Sequence, residues 1–385
     1  MRTGFSPVAC PVSLALRILV VNWLDRENPL AGGAEEHLHQ IFGRLVAEGH
    51  QVTALVSGWP GCSQRTNLDG IDVHRTGSRY TFSLMAPRYY RRQLLDRDFD
   101  VVVEDLNKVP LFTPCWVNSP VLLMAHHLFG KTAFQAASVP VAIVTFLLEC
   151  VIPLFYREIR TIAVSESTRS DLVRRGLRAE NVEVIHNGVD LSFYTPQRGS
   201  KTVRPTLLFL GRLQRYKRVD LIIEAIANLA VEGVHVHLSI AGAGEQASSL
   251  SKLANRLGVD DRVELLGFVT EQMKLDLLRS SWLHVLPSSK EGWGISVIEA
   301  AACGTLSVAS DAPGLRESVI HEETGLLVRH GDAEALTGAI ASLVLDSERR
   351  RWMSESARRF AEGYSWDTSA VRVEAVLTQV ADVSG

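Results

Sequence analysis

The chain has 385 residues, 46% hydrophobic and 22% charged, with a formal net charge of −3. That length exceeds one ordinary core and predicts two domains, while the near-neutral charge supplies no whole-protein field for nucleic acid. Five cysteines (Cys10, Cys62, Cys115, Cys150, Cys303) are odd in number, scattered and without a C-x-x-C pair. Neither a disulfide framework nor a zinc site is expected, and a reducing, cytoplasmic setting fits.

The first residues, MRTGFSPVACPVSLALR, carry two prolines and little charge and run straight into RILVVNW. They read as an extension and not as a signal peptide. RILVVNW is a strand, followed by the loop NPLAGGAEEH. Gly32 and Gly33 let the backbone approach a ligand, and a helix starting at Ala34 aims free N–H groups at it. The pattern is not a P-loop, and a plain Gly-rich turn is the alternative. In the helix, Leu38, Ile41, Phe42, Leu45 and Val46 share one face, and Gly49 ends it before the strand QVTALV. Arg88, Arg91 and Arg92 in RYYRRQLL suggest a solvated helix face, or else a lipid or anion contact.

Asp98 and Asp100 precede the strand VVVE at its amino end and read as a solvated turn. VLLMAHH is a strand ending in His126 and His127, where sites in parallel sheets form; these histidines could donate hydrogen bonds or act as acid and base. No second ligand cluster stands at suitable spacing, which disfavours a metal role for them. VPVAIVTFLLECVIPLFY, residues 139–156, is interrupted by Glu149 and by prolines at 140 and 153. It falls short of a clean spanning helix, and a buried helix beneath a groove is expected. The alternative is an apolar surface that meets a lipid or an acceptor.

HNGVDLSFYTPQRGSKTVRP is rich in turn formers and sets a domain boundary at about 195–204. Beyond it TLLFLGRL, a basic loop, the helix VDLIIEAIANLAVEG and the strand VHVHLSIAG repeat the strand–helix–strand order of the first half. The expected architecture is α/β, two Rossmann-like domains facing across a cleft, with the ligand at the carboxyl ends of the strands. In GRLQRYK, Arg212 offers a planar fork to phosphate oxygens and Lys217 a movable charge, although surface residues are the plainer reading. In AGAGEQA, Gly242, Gly244 and Ala247 loosely satisfy G-x-G-x-x-A, but Glu264 lies inside the strand RVELLGF where the acidic partner should end one. That match supports a dinucleotide-dependent oxidoreductase as an alternative.

KEGWGISVIEA places Glu291 before a helix entry and Glu299 in its first turn, with the N–H groups of Gly294, Ile295 and Ser296 between them. Such an entry suits a diphosphate. A carboxylate touching the phosphate would repel it, so each glutamate is expected to take a neutral, hydroxyl-rich part of the ligand. Ribose on one side and a sugar ring on the other describe a nucleotide-sugar. An exposed glutamate and a capping glutamate are the plainer alternative.

PSSKEGWGISVIEAAACGTLSVASDAPGLRESV resembles the signature of retaining GT-B-fold glycosyltransferases, the group usually called family 4, with its E-x7-E motif on Glu291 and Glu299. GRLQRYKRVD resembles that family's phosphate loop (Arg212, Lys217), and GGAEEH its donor-loop glycines (Gly32, Gly33). LLGFVT resembles its base-contacting loop (Gly267, Phe268, Val269), while VSESTR and IHNGVD resemble its interdomain segment. The resemblance covers roughly residues 17 to 375, with Trp293 and Thr305 where Phe and Pro are usual, and it is looser in the N-terminal half.

It implies an acceptor-side domain over 1–198, a donor domain over 199–365 and a final helix, 366–385, crossing back. Glu299 would hold the ribose, and Arg212 and Lys217, with the Gly32–Gly33 amides, the leaving diphosphate. Glu291 would hold the transferred sugar, and His126, before His127, would contact it from the other domain. Transfer would retain configuration without metal or cofactor, from a UDP- or GDP-sugar. The acceptor would be a glycan, a lipid-linked or a small-molecule hydroxyl, with peripheral association at the inner membrane face. A GT-B-fold sugar-nucleotide epimerase or phosphorylase-type enzyme and a non-catalytic lectin-like protein are the rivals.

Overall fold

The computed structural model describes residues 15–107, 109–128, 130 and 139–382, so the N-terminal extension lies outside the described residues. Strands β1 (Arg17–Val21), β2 (Gln51–Ser57), β3 (Arg65–Leu68), β4 (Ile71–Thr76), β5 (Val101–Leu106), β6 (Val121–Ala125), β7 (Arg160–Ala163) and β8 (Val182–Val184) form one sheet. Its order is β3-β4-β2-β1-β5-β6-β7-β8, parallel except for the β3–β4 pair. β9 (Thr206–Leu210), β10 (His237–Ala241), β11 (Val263–Gly267), β12 (Leu283–Leu286), β13 (Ser307–Ser310) and β14 (Gly325–Val328) form the other, ordered β11-β10-β9-β12-β13-β14 and parallel throughout. Helices cover both faces, which is why RILVV, VLLMA and TLLFL read as near-continuous apolar runs: their residues are buried on either side of the sheet.

The helix Gly33–Ala47 follows β1, burying Leu38, Ile41, Phe42 and Leu45 against the sheet, and Gly49 turns the chain at φ +101°. Its counterpart after β9, Val219–Val231, buries Val219, Leu221, Ile222, Ile223, Ala225, Ile226 and Leu229. In both sheets the chain reverses direction beside the first strand, between β1 and β5 and between β9 and β12. Ligand crevices open at such switch points, beyond the carboxyl ends of the strands. The last helix, Trp366–Asp382, buries Trp366, Ala370, Val373, Val376 and Leu377 in the core of the first sheet together with Leu38 and Ile41. The chain thus returns to the N-terminal domain, and Val189 and Ser365 bridge where the two connections run side by side.

Residues 139–156 correct the expectation of a buried helix. They form two helices, Val139–Cys150 and Ile152–Tyr156, and only Ala142, Glu149, Ile152 and Tyr156 are buried. The periodicity carries both outcomes: the stretch is apolar nearly all round, so composition alone does not say which side packs. Arg88, Arg91 and Arg92 are exposed, as a solvated face requires.

Candidate active site

The loops after β9 and β12, neighbours at the switch point of the second sheet, are tied together by Ser289 N–H donating to Tyr216 O at 2.9 Å. This contact brings Lys217 to Glu291: Nζ donates to Oε1 at 2.6 Å. Burial alone would lower the Lys217 pKa, but the adjoining Glu291 carboxylate outweighs it and the pKa is raised. The backbone of Glu291 is held from below, its N–H donating to Pro313 O at 3.2 Å.

Gly294, in the left-handed region at φ +89°, opens the helix Ile295–Ala302 and aims its first N–H groups into the cleft. Glu299 is the fifth helical residue, in the second turn and not the first, because the helix begins only at Ile295. Its carboxyl is buried, which raises its pKa, and Lys274 Nζ donates to Oε1 at 2.7 Å in opposition. Lys274, on the helix Glu271–Ser280, also lies 5.2 Å from the Tyr194 ring, whose hydroxyl donates to Glu271 at 2.7 Å. Sequence reasoning missed Lys274. It stands 25 residues from its partner on another helix, and no local pattern marks it.

The opposite wall comes from the first domain. A Cβ built on Gly32 would lie 3.6 Å from Arg212 Nε, and one on Gly33 would lie 3.3 Å from Ile295 Cδ1. The glycine loop therefore faces the phosphate-type loop and the helix entry directly. Glu35 fixes that loop by accepting from Gly32 N–H at 2.7 Å. Two further contacts close the domains. Lys290 Nζ donates to Leu128 O at 2.6 Å, and the Glu317 carboxylate accepts from the N–H groups of Glu166 and Ser167 at 2.7 and 2.8 Å.

The two histidines after β6 occupy different places. His126 is 5% exposed, and its Nε2 lies 2.9 Å from Asp105 Oδ1, with the His37 ring 4.8 Å away edge-on. Burial works to lower its pKa, but Asp105 and Glu35 prevail and raise it. His127 shares its surroundings with Lys290, Arg212 and Lys217; burial and those cations push its pKa down to about 3. A neutral ring beside the cationic loop is thus His127, which sequence order ranked second.

Gly267 ends the edge strand β11 and Phe268 and Val269 follow it, with Phe268 87% exposed and Gly267 O accepting from Gly242 N–H at 2.7 Å. The glycines of AGAGEQA are consumed by packing. A Cβ at Gly242 would lie 1.9 Å from Gly211 O, and one at Gly244 would lie 2.5 Å from Leu213 O. Their spacing serves the β9–β10 loop crossing, which corrects the dinucleotide reading of this motif. Trp293 is buried and stacks on His186 at 4.1 Å, and Thr305 donates to Leu278 O at 2.6 Å, so both unusual residues act in packing.

Among the described residues, His37, Asp105 and His126 bring three metal-type ligand atoms within 4.8 Å of one another. Residues this far apart in sequence gave no spacing signal. His126 Nε2 lies 2.9 Å from Asp105 Oδ1 as an ion-pair contact outside hydrogen-bond geometry, and both atoms, with His37 Nδ1 beside them, are buried without a hydrogen-bond partner among the described residues. Two donors on one tetrahedral ion at about 2.0–2.1 Å each would stand roughly 3.3 Å apart.

Two family models match in tandem: "Glycosyltransferase Family 4" over residues 31–193 and "Glycosyl transferases group 1" over residues 193–360. The D-inositol 3-phosphate glycosyltransferase of Xylanimonas cellulosilytica is 31% identical over 234 residues, 57% of this chain and 56% of that protein. The chain thus spans about half the length of the curated relatives it matches. Among solved structures, sucrose-phosphate synthase from Thermosynechococcus elongatus superposes with a TM-score of 0.81 at 21% identity, covering 95% of this chain and 99% of that one. Anabaena HepE in complex with UDP-glucose superposes with a TM-score of 0.75 at 21% identity, covering 94% and 100%. At those identities the likeness establishes the GT-B fold. The epimerase, oxidoreductase and lectin-like alternatives find no support in these relatives.

Proposed function

The chain belongs to the group 1 glycosyltransferases of GT-B fold, and from that premise we propose that it is a retaining, metal-independent enzyme moving a sugar from a UDP- or GDP-sugar to a hydroxyl acceptor at the cytoplasmic side. The observation that carries this reading is the pairing of charges in the cleft. Lys217–Glu291 and Lys274–Glu299 flank a helix entry, with Arg212 facing Gly32 from the other domain. Cations, amides and carboxylates are thus gathered in one cleft, the groups that a diphosphate flanked by two hydroxyl-rich rings requires. The helix entry and Arg212 take the diphosphate, Glu299 the ribose and Glu291 the hydroxyls of the transferred sugar. Gly267–Val269, with exposed Phe268, takes the base. His126 has Nε2 turned to Asp105, 2.9 Å away and buried, so Nδ1 is the atom we assign to the sugar.

In the transfer, the bond between the anomeric carbon and the diphosphate oxygen breaks and its electron pair stays on that oxygen. The acceptor hydroxyl forms the new bond on the same face, and its proton passes to the leaving phosphate. Charge grows on the diphosphate as the bond breaks, so fixed donors there stabilise the transition state. Arg212 and Lys217 supply that stabilisation without a divalent ion. Closure through Lys290 and Glu317 keeps water from the donor.

A thermal-shift panel of UDP, GDP, ADP and NAD, followed by the sugar-nucleotides of the stabilising base, tests the reading. The UDP-glucose bound to HepE puts UDP first in the panel. Stabilisation by UDP or GDP and turnover that persists in EDTA are expected; a shift with NAD alone would defeat it.

A further inference from the structure

The helices Val139–Cys150 and Ile152–Tyr156 are amphipathic in the reverse sense. Their inward stripe includes Glu149, which is fully buried, and half-buried Thr145. Outward stand Val139 (61% exposed), Val141, Ile143, Val144 (56%), Phe146, Leu147 (58%), Leu154 (78%) and Phe155. Glu149, the one charged residue of the stretch, is turned inward, ion-paired to Arg175 at 3.2 Å and accepting from Gly130 N–H at 2.7 Å. A helix facing water buries its apolar side and exposes its charge. Here 18 residues of mean hydropathy 2.1 present no charge outward, a contiguous patch of the kind that marks an interaction surface.

The rim of the patch says what covers it. Arg157 follows Tyr156 directly, and a Cβ on Gly176 would lie 3.3 Å from Pro153 Cβ, so the end of the helix Glu166–Arg175 abuts the patch. Arg157 and Arg174 are exposed and make no ion pair among the described residues. The exposed acid nearby, Glu158, is neutralised by Arg178 at 2.9 Å. An apolar face edged by unpaired arginines matches a segment lying in the interface of an anionic bilayer. Spanning is disfavoured: Ala142, Glu149, Ile152 and Tyr156 are packed into the domain and Glu149 is ion-paired to Arg175, so one side of the segment is already covered by protein and only the other is open to lipid.

We propose that the outward face of residues 139–157 docks this protein on an anionic phospholipid bilayer, lying in the interface without crossing it. Polar contacts connect the docked segment to the cleft. Glu149 pairs with Arg175, Arg175 with Asp171 at 3.4 Å, and Asp171 with Lys290 at 3.4 Å, next to Glu291. The cleft is thereby held in fixed relation to the lipid surface, which suits a lipid-linked hydroxyl acceptor. That acceptor class rests on the transferase reading; the docking does not.

The test is cosedimentation of the full chain with phosphatidylcholine vesicles, with and without phosphatidylglycerol, alongside sedimentation velocity without lipid. The wild type should pellet with the anionic vesicles. A Val144→Asp/Leu147→Asp double variant should stay in the supernatant, with its melting temperature and its shift by UDP or GDP unchanged. Arg157→Ala and Arg174→Ala should each weaken binding about fivefold, the scale of one basic residue at an anionic surface. Equal pelleting of the wild type and the double aspartate variant would overturn the proposal. So would a lipid-indifferent dimer that the aspartates dissociate, since the face would then belong to a second copy. The nucleotide shift, read without vesicles, reports separately on the transferase reading.

Discussion

Lys217 Nζ lies 2.6 Å from Glu291 Oε1, with 12% and 14% of the two side chains exposed, so each charge shields the other in the cleft. A donor sugar would draw Glu291 onto its hydroxyls and release Lys217 towards the diphosphate. Glu291→Gln keeps the shape but removes the negative charge that engages Lys217. Turnover should fall about 10²-fold, the scale of losing one transition-state contact, while nucleoside diphosphate binding, followed by calorimetry, should not weaken. A matching loss in both would mean that Glu291 only holds the loop.

Arg212 reaches across the cleft towards Gly32, and no carboxylate partner for it is seen among the described residues. In the proposed transfer its cation would face the diphosphate, where charge develops. Arg212→Ala should lower turnover by about 10²-fold or more, as measured by release of nucleoside diphosphate at saturating donor. Wild-type turnover in that variant would remove Arg212 from the mechanism.

The buried Glu299 depends on Lys274 at 2.7 Å. Replacing Lys274 by Met leaves a carboxylate in a low-dielectric site without its counter-charge, which should destabilise the protein by about 3 kcal/mol in denaturant unfolding. Glu299→Ala should instead weaken donor binding, because the ribose loses its acceptor.

Much of this site is legible in the sequence because the fold places loops by strand order. Once RILVV and TLLFL are taken as first strands, the loops holding Gly32–Gly33 and Arg212–Lys217 must lie at switch points. KEGWGISVIEA likewise declares a loop and a helix entry by its glycines. Pairs made across elements are a different matter. Lys274 with Glu299, Asp105 with His126 and Glu317 with Glu166 lie 25, 21 and 151 residues apart, and only tertiary packing brings them together. The packing of segment 139–156 is not legible in its sequence, because apolar composition states that a surface must be covered without stating by what. AGAGEQA misled because glycines needed for close backbone crossing mimic glycines needed for a pyrophosphate.

That last distinction is itself measurable. Gly242 sits at φ +145° with Gly211 O where its Cβ would be. Gly242→Ala should therefore lower the melting temperature of the unliganded protein by several degrees, on the scale of roughly 2 kcal/mol for combined backbone strain and overpacking. A variant that melts normally would return the loop to ligand binding.

Asp105 and His126 also make stability depend on pH. Burial works against the His126 imidazolium, yet Asp105 at 2.9 Å and the nearby Glu35 raise its pKa above the ordinary value. His37, packed edge-on against it, is kept neutral by burial and by the His126 charge, with its pKa well below 6.5. Because the folded pKa is the higher one, the pair's stabilisation is fully present below the unfolded value of about 6.5 and is lost as pH rises through the folded pKa. Asp105→Asn removes the cause of the upward shift and leaves burial to hold His126 neutral. The stability gap between wild type and Asp105→Asn should thus be widest near pH 6 and narrow by about pH 9. Urea unfolding at the two pH values measures it. An equal gap at both would show that Asp105 acts on the ring by packing alone and not through its charge.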